Sequence, residues 1–92
     1  MFGKIQLEKF EGITTMPQDA ASAWSGGMEG LVGADYKPLL YLGKQIVKGV
    51  NYWFIAEQTL VTHPPIRRVV KLAINEFNGA YELVGDSIED II

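Results

Sequence analysis

The stretch Gln45-Ile46-Val47-Lys48-Gly49-Val50-Asn51-Tyr52 decides how this chain is read. A tight Lys48-Gly49 turn lies between two β-prone runs. Leu39 to Val47 precedes it, and Asn51 to Val61, with Tyr52-Trp53-Phe54-Ile55 as its aromatic centre, follows it. Two such runs joined through a glycine predict a hairpin. Downstream, His63-Pro64-Pro65 is a stiff connection through which no strand continues. Arg67 to Phe77 then alternates, with Val70, Leu72 and Ile74 on one face and Lys71, Ala73 and Asn75 on the other. Asn78-Gly79 predicts a second hairpin, because both residues tolerate the positive φ of a type I′ turn. Ala80 to Val84 returns as a strand, and Asp86 to Ile92 is expected to be a strand extension or an ordered end.

Upstream, Thr15-Met16-Pro17 offers a capping hydroxyl and a first-turn proline. Ala20, Trp24, Met28 and Leu31 then fall on one helical stripe. Gly26, Gly27 and Gly30 each cost about 1 kcal/mol against alanine in a helix. Ala20, Ala23, Gly27 and Gly30 nevertheless form a row of small residues that lets a sheet lie close; the alternative is a break at Ser25-Gly26-Gly27. Gly33 is the expected C-cap. Before the helix, Ile5 and Leu7 alternate with polar neighbours and predict a first strand within 4–14. The order of strand, helix and four further strands predicts one α+β domain over residues 1–92. Its antiparallel sheet of about four to five strands packs on one α-helix, with its other face toward water.

Composition narrows the function. With 48% apolar and 21% charged residues, the chain has the balance of a folded domain. It has no cysteine, so neither a disulfide nor a thiolate metal site is available. A net charge of -3, with Arg67-Arg68 and nearby Lys71 as the densest basic group, argues against nucleic acid. No apolar run approaches the roughly 20 residues that span a bilayer. The start lacks the apolar core of a secretory leader, so either the chain stays in the cytoplasm or it is a mature or trimmed form.

In Gln45 to Gly49 the pattern is glutamine, any residue, valine, any residue, glycine, and Asn51-Tyr52 follows on the next strand. This resembles the central motif of the cystatins, especially the stefins, and the resemblance extends in element order from about Pro17 to Val84. It implies a reversible inhibitor of papain-type cysteine proteases. In that family the N-terminal segment and two hairpin loops enter the protease cleft and occlude it. Carried onto this chain, the resemblance implies contacts from Gly3, from Gln45, Ile46, Val47, Lys48 and Gly49, and from Phe77 and Asn78. Family members commonly carry proline-tryptophan, or a histidine-containing equivalent, in the second loop; here the residues are Phe77-Asn78-Gly79-Ala80-Tyr81. Gly3 has two residues before it, and Lys48 is larger than the small residue common at its position.

The plainer readings are also specific. Gly49 makes an ordinary hairpin turn, Trp24 and Trp53 are core residues, and His63 is a solvated loop residue. Asp86, Glu89 and Asp90 form a hydrated acidic tail. One histidine and no cysteine give no metal site, and no nucleophile has a base at a suggestive spacing, so no enzyme and no cofactor are expected. The alternative function is a non-inhibitory binding module on the same fold, monomeric or exchanging strands between two copies through Val47 to Gly49. A weaker third reading is a small-ligand carrier whose helix lifts off the sheet.

Overall fold

The computed structural model describes residues 5–7 and 16–91. A short strand β1 (Ile5–Leu7) precedes helix α1 (Gln18–Met28) and four long strands: β2 (Ala34–Val47), β3 (Gly49–Leu60), β4 (Ile66–Phe77) and β5 (Ala80–Asp90). They form one antiparallel sheet in the order β1-β2-β3-β4-β5. One helix on a meandering sheet is the expected α+β arrangement.

Alternation along the strands divides the side chains between two faces. Tyr52, Phe54 and Ala56 of β3 and Val70, Leu72 and Ile74 of β4 are buried together with Ala20 and Ala23 of the helix. Phe54 is the pivot. Its ring meets Trp24 edge-on with centroids 5.0 Å apart and lies 5.5 Å from the Tyr41 ring. Trp24 is thus the core residue its helical position predicted.

The helix does not break at Ser25-Gly26-Gly27, and the reason is steric. A Cβ on Gly27 would lie 2.6 Å from Ile74 Cγ2, and one on Gly26 would lie 2.4 Å from the Tyr81 ring. Close approach to β4 and β5 thus offsets the poor helical propensity of both residues. The predicted end of the helix is wrong. It stops at Met28 with Glu29 extended at the C-cap, and Gly30, at φ 77°, turns the chain before Gly33 is reached. Leu31 therefore leaves the apolar stripe and is 41% exposed. At the other end Pro17 occupies the N-cap position with no side-chain cap. Instead, the Ala21 amide donates to the Pro17 carbonyl and the Ala20 amide to Asp19 Oδ1. Thr15, the expected capping residue, lies outside the described residues, as does most of the first-strand prediction.

Four strand boundaries move outward, that of β4 by a single residue, from Arg67 to Ile66. β2 begins at Ala34 rather than Leu39 and runs through Pro38, which is followed at once by a register shift. Proline is tolerated at such an irregularity because no regular ladder donor is required there. A second shift falls between Tyr41 and Gly43. β3 extends back to Gly49. β5 continues past Val84 to Asp90, so the tail is the strand extension expected. Its register shifts between Lys71 and Ala73 of β4. Ser87 repairs this gap: its hydroxyl accepts from the Ala73 amide at 2.8 Å and donates to the Val84 carbonyl.

Candidate functional site

β3 and β4 are both 12 residues long and pair without a break from Val50↔Glu76 to Leu60↔Ile66. Their outer ends are therefore level. This places the β2–β3 turn directly beside the β4–β5 turn at one end of the sheet. β1 approaches the same end, with Ile5 opposite Gln45, two positions from the turn. Gly3 lies outside the described residues.

The first turn is as short as a hairpin allows: Val47 pairs with Gly49, and Lys48 alone connects them. Gly49 sits at φ 84°, a conformation that costs an L-residue roughly 1–2 kcal/mol. A Cβ there would also lie 2.1 Å from the Glu76 carbonyl oxygen, so glycine is required both by the bend and by the neighbouring strand. The second turn holds Asn78 at φ 53° and Gly79 at φ 81°, the two positive values expected of Asn-Gly. The Gly79 amide donates to the Glu76 carboxylate at 2.8 Å.

Of the residues singled out from the sequence, Gln45 to Gly49, Phe77 and Asn78 come together at this end. Ile46 is half exposed at 50% and Phe77 is 43% exposed. Lys48 Nζ stands 5.3 Å from the centre of the Phe77 ring, so the two turns touch through a cation over an aromatic face. Val47 is half-buried. Gln45 lies on the sheet face away from the helix, where its Oε1 accepts from Trp53 Nε1 at 3.1 Å. Trp53 is accordingly no helix-side core residue, contrary to expectation. Strand alternation turns it to the opposite face from Tyr52 and Phe54, and Lys71 Nζ lies 5.4 Å above its ring.

Two residues at this end were not singled out in advance. Asn75 on β4 donates from Nδ2 to Asn51 Oδ1 at 2.9 Å and to the Lys48 carbonyl at 3.1 Å. Glu76 holds Gly79 and lies against Gly49. Their only sequence signal was position, a few residues before Asn78-Gly79. Gln45, Asn51, Asn75 and Glu82 occupy successive paired positions across β2, β3, β4 and β5. This polar row, with Val47, Lys48 and Val84, lines a shallow depression of about 450 Å³ beneath the turns.

On the helix side, Tyr52 anchors the same end. Burial pushes its hydroxyl above the usual tyrosine value of 10.0, and the Asp19 and Glu76 carboxylates and a hydrogen bond to Asp19 push in the same direction. Asp19 also pairs with Lys44 at 3.6 Å, which links the helix start to the strand entering the first turn. Among the described residues no three potential ligands gather around a metal position, and no helix there is long and apolar enough to cross a membrane. Comparison with protein-family models, curated proteins and solved structures finds no match.

Proposed function

We propose that this chain is a cystatin-like reversible inhibitor of papain-type cysteine proteases, which blocks the cleft with its two hairpin turns. One observation carries the reading: the Gln45–Gly49 turn and the Phe77–Asn78 turn stand side by side, in contact through Lys48 and Phe77. An occluding edge needs narrow elements whose shape is set before contact. The one-residue turn at Lys48 supplies the narrowness, and the lack of room around Gly49 supports the fixed shape. Ile46 and Phe77, each about half exposed, offer apolar surface whose further burial contributes about 1 kcal/mol apiece. The role is binding rather than catalysis, and it uses no cofactor.

Titration of papain with the protein tests the proposal. Activity is expected to fall in a reversible, dose-dependent manner, and Gly49→Glu to abolish the effect. Full papain activity at high micromolar inhibitor rejects it.

A second reading, strand exchange between two copies, is favoured by the single-residue link between β2 and β3. A short hinge of this kind invites β2 and β3 to open into one continuous strand. A dimer that grows with concentration in size-exclusion chromatography supports this reading, and a strictly monomeric profile rejects it.

A further inference from the structure

We infer that Asn75 is a positioning residue that clamps the first turn to β4, so that the two turns form one rigid edge. Its consequence for inhibition rests on the reading just proposed; the clamp itself does not.

Lys48 lies between the two strands and belongs to neither, so its carbonyl falls outside the regular ladder. Asn75 reaches it from the neighbouring strand. Its side-chain nitrogen carries two hydrogens, which allows one atom to serve both the Lys48 carbonyl and Asn51 Oδ1. Asn51 is the residue paired with Asn75 across β3 and β4, so the amide is fixed at its own register position and extends from there toward the turn. Aspartate has the same shape but no such donor, and serine is too short to reach both acceptors.

The next two residues of β4 join the second turn to the same anchor. The Glu76 carbonyl closes the space beside Gly49, its carboxylate accepts from the Gly79 amide, and the Phe77 ring lies under Lys48 Nζ. Residues 75–77 thus hold both turns. β4 is an interior strand, paired throughout with β3 and at this end with β5, so it offers a support held on both sides. A turn held in this way loses less freedom on binding than a free one.

The test uses the full chain with Asn75→Ala and Asn75→Asp, followed by amide hydrogen exchange and papain titration. Both variants are expected to exchange about tenfold faster at residues 48–50, the equivalent of one net hydrogen bond. Ser87→Ala, which removes a hydrogen bond of similar size elsewhere in the sheet, is expected to leave exchange at residues 48–50 within about twofold of the wild type, which separates a local clamp from general loss of stability. Unchanged exchange at residues 48–50 in the Asn75 variants, equal acceleration there in Ser87→Ala, or failure of both Asn75 variants to fold overturns the clamp. Inhibition is expected to weaken about tenfold in both variants. A wild-type protein that leaves papain active overturns the inhibitor reading and leaves the exchange result standing. Faster exchange with unaltered inhibition overturns the functional consequence of the clamp.

Discussion

Gly49 and Gly79 form a matched pair that separates two costs. Both sit at nearly the same positive φ, 84° and 81°, and each lies at a hairpin turn. A Cβ on Gly79 meets nothing within 4 Å, whereas one on Gly49 meets the Glu76 carbonyl oxygen at 2.1 Å and carbon at 3.0 Å. Alanine at either position incurs the left-handed penalty, roughly 1–2 kcal/mol. Only at Gly49 must backbone also move, and overpacking of this kind costs typically about 1–3 kcal/mol. Gly49→Ala is therefore expected to destabilise the protein by about 2–5 kcal/mol and Gly79→Ala by about 1–2. A domain of this size has about 5–14 kcal/mol of stability, so both variants are measurable while folded. Urea unfolding provides the assay: the midpoint should fall much further for Gly49→Ala, with the slope unchanged. Equal losses at the two positions would refute the argument that β4 leaves no room at the first turn.

Three further outcomes follow from packing and charge. Gly27→Ala gains about 1 kcal/mol of helical propensity but drives a methyl against Ile74, so a net loss of about 1 kcal/mol is expected; an increase in Tm would show that the helix can move away from β4. Ser87→Ala removes the acceptor of the Ala73 amide at the β5 irregularity and should cost about 1–3 kcal/mol, read by chemical denaturation, with faster exchange at Ala73. Wild-type exchange at that amide would show that another acceptor takes over. The third concerns pH. Because the Tyr52 value is raised, the unfolded chain releases this proton first as pH climbs above about 10, while the folded chain retains it. Tyr52 therefore contributes fully below that pH, and its contribution is lost as pH rises through the folded value. The stability difference between wild type and Tyr52→Phe should be flat below about pH 9 and turn against the wild type above about pH 10. Parallel curves up to pH 11 would reject the assignment.

Much of the fold was legible because its signals are local. Alternation over Arg67–Phe77 identified the buried Val70, Leu72 and Ile74, and the bends at Lys48-Gly49 and Asn78-Gly79 follow from backbone preferences of the residues in them. Ala20, Ala23 and Gly27 of the row of small residues marked the close approach to the sheet, whereas Gly30, counted in the same row, lies beyond the helix with nothing near it. The end of the helix was misjudged because Gly30 and Gly33 both adopt positive φ. Either could end a helix, and propensity does not rank them.

What the sequence by itself determined is thus the set of elements, their order and the position of each turn, since those depend on neighbours a few residues away. Tertiary structure decided what meets at the turns. Asn75 reaches Lys48, Glu76 limits Gly49, and Trp53 turns from the helix toward Gln45, because β2, β3 and β4 pair in one register out of several that the same strands could adopt. Register is a sum over the many paired positions of a long ladder, and no short stretch of residues contains it.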